Sequence, residues 1–335
     1  MSPTAEVLRA LPTRVAEKYN AAVKAGAVFY YDSEVHVSDV DKEPGSTPAR
    51  SVAWHIRNVP ALMKKHRESP LPPAAPQQNP RDVFAPPYVP NLFVEELGDY
   101  TILLNKFCVL PRHHLIVTKD FVKQELPPSP EMLLLVYRII RTHTPTAPGA
   151  EMLGFFNCGP QSGASQPHCH FQLVELDPVG DGSAVPIESL LSRIERDGKE
   201  YDADKWEAYL GTRMTQALDA MFQTLAQSGL PAGRPSFNVL LTKRALHIIP
   251  RRADEFDLRR TDWGKFSTGK AEDGVGTISV NSLGYAGLLL TKDLDEQAAL
   301  KDDDNAHIIE ILEYAGVPRG QQQAAGGGGA EHDGE

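Results

Sequence analysis

The run His168-Cys169-His170-Phe171-Gln172 carries the strongest chemical signal in the chain. Successive side chains of an extended strand point to opposite faces. His168, His170 and Gln172 therefore share one face, and Cys169, Phe171 and Leu173 share the other, apolar one. Three hydrogen-bonding groups line a surface while the strand stays anchored in a core. The residues just before it are Asn157-Cys158-Gly159-Pro160-Gln161-Ser162-Gly163-Ala164-Ser165-Gln166-Pro167. Glycines there permit close backbone approach, and amides and serine hydroxyls suit phosphate oxygens.

Three chemistries compete for the row. Two imidazoles at alternate positions can share a metal ion, with His113, His114 or carboxylates as further ligands. Two histidines can also be structural, satisfied within a half-buried strand. The third reading is nucleophilic. A neutral imidazole attacks phosphorus in line and forms a phosphoramidate, and an acceptor on its other nitrogen fixes the tautomer. The loop before the strand favours an anion-handling site over the purely structural reading. No GxxxxGK[ST] occurs, which argues against a P-loop enzyme.

The chain has 335 residues, 41% hydrophobic and 23% charged, with a formal net charge of −10. That length supports two packed halves. The acidic balance argues against gripping long nucleic acids but not against a polyanionic small molecule met by a few local lysines. The three cysteines, Cys108, Cys158 and Cys169, form no CxxC and no disulfide framework. A cytoplasmic location is expected, with entry into the nucleus left open. No signal-peptide core and no apolar run of membrane-spanning length is evident.

Elements follow from periodicity. Leu8, Leu11, Val15, Tyr19 and Val23 recur at helical steps within Val7 to Lys24. Val28 to Val37 reads as strand, and the proline-rich Pro70 to Pro90 as a loop close to a site. Thr101 to Leu104, Phe107 to Leu110 and Leu115 to Thr118 read as strands. Ser129 caps a helix with Pro130 at its first position and Glu131 at the positive end. Met152 to Phe156 and His168 to Leu176 are strands. Trp206 to Gln227 is a long helix. Phe237 to Thr242 and Ala245 to Pro250 form a hairpin of buried strands. Ala253 to Gly276 is a polar insertion, Thr277 to Val280 and Gly287 to Leu290 flank a small-residue segment, and Asp303 to Tyr314 is a closing helix. The expected fold is α+β, mainly antiparallel sheet with flanking helices. Residues 1–195 form a catalytic half, 200–318 a second half that completes the site, and 319–335 a disordered tail rich in glycine, alanine and glutamine.

The HxHxQ strand after an Asn/Gly/Ser-rich loop resembles the transferase branch of the histidine-triad superfamily, which holds galactose-1-phosphate uridylyltransferases and diadenosine tetraphosphate phosphorylases. Further blocks resemble the fungal-type phosphorylases, also called ATP adenylyltransferases. They are Asn105-Lys106-Phe107 with Leu110-Pro111, Phe237 to Lys243, Asn281-Ser282-Leu283-Gly284-Tyr285-Ala286-Gly287, and Thr291-Lys292. The galactose-1-phosphate branch usually adds a zinc site built partly from a cysteine pair, which is absent here.

The resemblance implies a histidine-triad-like fold and assigns roles. His170 matches the nucleophile that carries AMP, and Gln172 the group that bonds the transferring phosphoryl. Asn157 and Gly163, Ala164, Ser165 and Gln166 match the phosphate-holding loop. Lys65, Asn105, Lys106, Asn281, Ser282, Leu283, Leu288 and Lys292 match other nucleotide contacts; Leu288 stands where the family often has methionine. Read from the residues alone, Lys65 sits in a basic cluster that suits solvent, and Lys292 could snorkel from a buried run. Glutamine, unlike a third histidine, holds a phosphoryl oxygen without delivering a proton. The implied reaction is reversible phosphorolysis of diadenosine tetraphosphate (Ap4A) to ATP and ADP through adenylyl-His170, with adenosine phosphosulfate as a second AMP donor. No organic cofactor is expected, only a divalent ion such as magnesium accompanying the polyphosphate, in a monomer without nucleic-acid or membrane partners. A metal-dependent dinucleotide hydrolase and a non-catalytic nucleotide sensor are the competing readings.

Overall fold

Local signals in the sequence set the helices that flank the sheet. The computed structural model describes residues 3–38, 52–60, 82–178, 184–191, 203–227, 235–263, 276–301 and 305–317. Helix α1 (Ala5–Lys24) starts where Thr4 accepts a bond from the Val7 amide, and it buries Leu8, Leu11, Val15, Tyr19 and Ala22 along one stripe. Helix α2 (Pro130–Thr142) starts where Ser129 accepts from the Met132 amide at 3.1 Å. Its Met132, Leu133, Val136, Tyr137 and Ile140 are buried. The long helix α4 (Ala203–Gln227) follows a short α3 (Pro186–Leu191). All agree with their sequence signals except α3, which none announced.

Seven strands form the central sheet. They are β4 (Phe93–Leu97), β5 (Tyr100–Leu104), β7 (His114–Thr118), β8 (Glu151–Cys158), β9 (His170–Leu176), β10 (Ser236–Leu241) and β11 (Leu246–Arg251), in spatial order β11-β10-β8-β9-β7-β5-β4. Every neighbouring pair is antiparallel. The strand bearing His170 and Gln172 is thus the middle one. Strands from both sides of residue 195 share this sheet. The segment expected as one strand over Val28 to Val37 splits in two. β1 (Phe29–Tyr30) pairs in parallel with β6 (Phe107–Cys108), and β2 (Glu34–Val37) joins a small sheet with β3 (His55–Asn58) and β14 (Leu288–Thr291). The polar insertion contributes β12 (Glu255–Asp257), which pairs with β13 (Thr277–Ser279). Helices α5 (Ser282–Ala286), α6 (Leu294–Ala299) and α7 (Ala306–Ala315) complete the described chain.

The two faces of the sheet have different covers. Phe156, Phe171, Leu173, Val239 and Leu241 pack with α1, α2 and α4 in the largest core. On the other face Leu153, Phe155, Val174, Leu240, Leu283 and Leu288 form a second cluster. Leu103, Leu115 and Val117 form a third, under Phe84 and Tyr88 of the proline-rich loop. His170 and Gln172 lie on this second face, between the two smaller clusters. A separate core of Trp54, Ile56, Phe256, Ile278, Leu289 and Ile308 knits the small sheets to α7. Among the described residues no helix is long and apolar enough to cross a membrane.

Gly154 lets α2 seat on β8. A Cβ there would meet Val136, Ile140 and Phe171 at 3.0, 3.1 and 3.1 Å, from both the helix and the next strand. Gly154→Ala is expected to destabilise the fold by about 1–3 kcal/mol through overpacking. Urea denaturation would check it, and an unchanged midpoint would contradict the packing described here.

Candidate active site

His170 is 3% exposed, on the middle strand. Its Nδ1 lies 2.8 Å from the carbonyl oxygen of His168. A carbonyl only accepts, so Nδ1 carries the proton and Nε2 presents a lone pair. Burial pushes the ring's pKa down to about 4, against the pull of that carbonyl bond towards the charged form; nearby His168 adds to the lowering. The ring is therefore neutral near pH 7. Phe84 lies against it with centroids 5.0 Å apart. This is the state a nucleophilic imidazole requires.

Gln124 opens the sheet beside it. The antiparallel ladder between β8 and β9 runs to Phe155 opposite Gln172. Beyond that, the Gln124 amide takes the place of ladder bonds. Its Oε1 accepts from the His170 amide at 2.7 Å, and its Nε2 donates to the carbonyls of Asn157 at 2.7 Å and His170 at 3.3 Å. The wedge satisfies backbone groups that diverging strands would otherwise leave unpaired. Nothing in the sequence marked Gln124, because its role exists only where two strands part.

His168 has a different task from His170. The regular strand begins at His170, and His168 makes an isolated bridge with Lys123. Its Nε2 faces the Thr118 carbonyl at 2.8 Å and its Nδ1 faces Asp82 at 2.8 Å. With both ring nitrogens turned to protein oxygens, His168 braces the strand end and is poorly placed to bind a metal. Among the described residues no group of three or more His, Cys, Asp or Glu is arranged to hold a metal ion.

Gln172 is joined to Asn105 through His113. Gln172 Oε1 lies 3.0 Å from His113 Nε2, and His113 Nδ1 lies 2.9 Å from Asn105 Nδ2. Two expected site residues far apart in sequence are thus tied together. Lys106 beside them is exposed, with Nζ 5.4 Å from the Phe107 ring centroid and 5.8 Å from that of Phe29.

Asn157 lies on the same sheet face as His170 and anchors the loop. Its Oδ1 accepts from Asn238 Nδ2 at 2.8 Å, the Ser282 amide at 3.1 Å and Ser282 Oγ at 2.6 Å. The acceptor end is thereby committed to the protein, and the other end of the amide is a donor. Asn238 also donates to the Ser162 carbonyl at 3.0 Å and accepts from buried Arg251. Arg251 further donates to the carbonyls of Ala253 at 2.6 Å, Val280 at 2.7 Å and Ala315 at 3.1 Å. Among the described residues every hydrogen-bond partner of this guanidinium is a neutral oxygen. Sequence reading passed over Asn238 and Arg251, although Asn238 lay within a quoted block.

Gly163 adopts φ 79°, and a Cβ there would stand 2.9 Å from that of Asn281. The loop expected to hold phosphate, which continues through Ala164, Ser165 and Gln166, thus meets the segment before α5 at Val280 and Asn281. Ser165 is exposed; Ala164 and Gln166 are half-buried. Asn281 caps α5 through the Leu283 amide at 2.9 Å. Leu283 and Leu288 are buried in the apolar cluster below. Lys292 stands apart. It is buried, and its Nζ donates to Glu296 at 3.2 Å and to the Thr277 carbonyl. That is a closed ion pair, distinct from the free snorkelling end the sequence suggested. Lys65 lies outside the described residues.

The family model for the Ap4A phosphorylase N-terminal domain matches residues 7–193, and that for the ATP adenylyltransferase C-terminal domain matches residues 184–318. The chain is 25% identical over 333 residues to diadenosine 5',5'''-P1,P4-tetraphosphate phosphorylase 2 of Saccharomyces cerevisiae, covering 90% of this chain and 92% of that protein. It is 23% identical to protein APA1 of the same yeast, covering 91% and 93%. Its fold matches the crystal structure of yeast Ap4A phosphorylase Apa2 in complex with AMP, with TM-score 0.67 and 22% identity, over 96% of this chain and 100% of that one. The Apa2 complex with Ap4A matches with TM-score 0.65 and 23% identity, over 92% and 97%.

The buried histidines make stability depend on pH. Burial is the main cause in each: it pushes His113 down to about 3 and both His114 and His170 down to about 4. Unfolded, each would titrate near about 6.5, so the unfolded chain takes up protons first as pH falls. Stability is fully present above about 6.5 and drains on acidification until the folded rings protonate near 3–4. Each contributes a slope of up to about 1.4 kcal/mol per pH unit within that window. The urea midpoint is expected to fall steadily from pH 7 to 5; a flat midpoint would contradict the burial of neutral rings.

Proposed function

The chain belongs to the Ap4A phosphorylase family, and on that premise we propose that it splits Ap4A with phosphate into ATP and ADP, reversibly, through an AMP carried on His170. The observation that carries this reading is the neutral His170, with Nδ1 committed to a carbonyl and Nε2 left with its lone pair. Nε2 attacks an α-phosphorus of Ap4A. A P–N bond forms, the P–O bond to the rest of the polyphosphate breaks, and ATP leaves with the electron pair. ATP is a stable anion, so no strong acid is needed at this step. An oxygen of inorganic phosphate then attacks the adenylyl phosphorus, the P–N bond breaks, and ADP leaves with His170 restored.

Gln172, two residues along the same strand face, would hold a non-bridging phosphoryl oxygen with its amide N–H. Asn157 and the loop from Gly163 to Gln166 would hold the polyphosphate, with Lys65 and Lys106 countering its charge. Asn105, Asn281, Ser282, Leu283 and Leu288 would bound the nucleotide. Lys292 would reach the phosphates only by leaving Glu296, so its part here is the least direct. Magnesium enters as a counter-ion of the substrate, not as a resident of the protein. Adenosine phosphosulfate would load His170 in the same way, with sulfate as the leaving group.

The test is product analysis of purified protein with Ap4A, with and without inorganic phosphate. ATP and ADP in equal amounts, formed only with phosphate, are the expected outcome. ATP and AMP formed without phosphate would replace this reading with a hydrolase. No product in either reaction would replace it with a nucleotide-binding protein.

A further inference from the structure

The site holds a histidine to which the reaction above gives no part. His113 is 7% exposed, and its ring lies 5.8 Å from that of Phe155, on the face that carries His170. It enters that face because Arg112 takes up φ 56° just before it. The Arg112 guanidinium is tied on the far side to Thr146 Oγ1 at 2.8 Å and Glu175 Oε1 at 3.1 Å. The Arg112 carbonyl accepts from His114 Nδ1 at 2.9 Å. The turn sends His113 to the site and His114 to the helical core.

The bonds around His113 have only one consistent set of directions. The Phe107 carbonyl, 3.1 Å from the Asn105 side chain, can only accept. The Asn105 atom facing it is therefore the amide nitrogen, which also faces His113 Nδ1 at 2.9 Å. That nitrogen only donates, so Nδ1 is the accepting nitrogen and Nε2 carries the proton. Nε2–H then requires an acceptor at 3.0 Å, which must be Gln172 Oε1. The Gln172 NH2 is left pointing away from His113. A glutamine amide has no intrinsic preference between its two ends, and the wrong end would set an oxygen against phosphoryl oxygens.

Resting on the phosphorylase reading for its chemistry, we propose that His113 is the positioning residue of this site: it transmits the orientation set by the Phe107 carbonyl and Asn105 to Gln172, and so aims the glutamine N–H at the transferring phosphoryl group. Burial, which keeps His113 neutral, supports this, because an imidazolium could not accept from Asn105.

Two measurements test it. The first needs no turnover. In 15N-histidine-labelled wild-type protein without ligand, His113 is expected as the Nε2–H tautomer from pH 6 to 8. Asn105→Asp, which replaces the donor with an acceptor of the same shape, is expected to put a proton on Nδ1. A wild-type Nδ1–H tautomer or imidazolium, or an unchanged tautomer in Asn105→Asp, would overturn the relay. The second is a kinetic cycle with His113→Phe, Gln172→Ala and the double variant. His113→Phe is expected to lower kcat roughly tenfold to a hundredfold, short of losing a transition-state donor outright, while the KM for Ap4A moves less than about threefold. On the Gln172→Ala background the same change is expected to cost less than about twofold. Equal losses on both backgrounds would show a merely structural role and refute the proposal. Absence of wild-type turnover would overturn the phosphorylase reading alone, and the tautomer measurement would still decide the relay.

Discussion

The hydrogen bond from His170 Nδ1 to the carbonyl of His168 is the constraint around which the rest of the structure is arranged. It sets which nitrogen has a proton, and so which one can attack. It holds only while the ring stays neutral and the two residues keep their backbone geometry. Burial under Phe84 supplies the first condition. The Gln124 wedge and the bracing of His168 by Thr118 and Asp82 supply the second. Placing His170, the proposed nucleophile, on the middle strand of seven gives it neighbours on both sides, which a loop could not offer.

The proposed function sets a second problem, the handling of a polyanion by an acidic chain. Beside the loop proposed to hold it stand mostly neutral donors and the buried Arg251. Asn157, Asn238, Ser282 and Arg251 join the strand before the loop, the hairpin and the segment at 280–283 into one polar lattice. Asn157 and Ser282 are 125 residues apart in sequence. Among the described residues the guanidinium donates its hydrogen bonds to dipoles, while the Asp254 carboxylate acts on it through space. Buried polar groups of this kind are stable only when fully partnered, which ties the loop's shape to the hairpin and to the segment at 280–282.

Much of this was legible in the residues. Ser129-Pro130-Glu131 and the apolar periodicity after it announced α2, and alternation announced that His170 and Gln172 share a face. What was lost had physical reasons. Phe29–Tyr30 and Glu34–Val37 read as one strand because periodicity does not say which partner each half pairs with, and the partners lie in different sheets. β4 was hidden by Glu95 and Glu96 within a five-residue strand, and α6 by its length of six. Lys292 read as the free end of an apolar run because α6, which brings Glu296 to it, was not foreseen. Gln124 had no legible role, and His113 was read as a candidate further metal ligand, since each makes its contacts between segments remote in sequence.

The most direct measurement is of the covalent intermediate. Purified protein is mixed with Ap4A in the absence of phosphate, quenched without acid, weighed intact by mass spectrometry, and digested to locate any added group. The expected result is one adenylyl group on the peptide that contains His170, lost when phosphate is supplied. Turnover of Ap4A without any such group, or the group bound at another residue, would contradict the claim that His170 is the nucleophile.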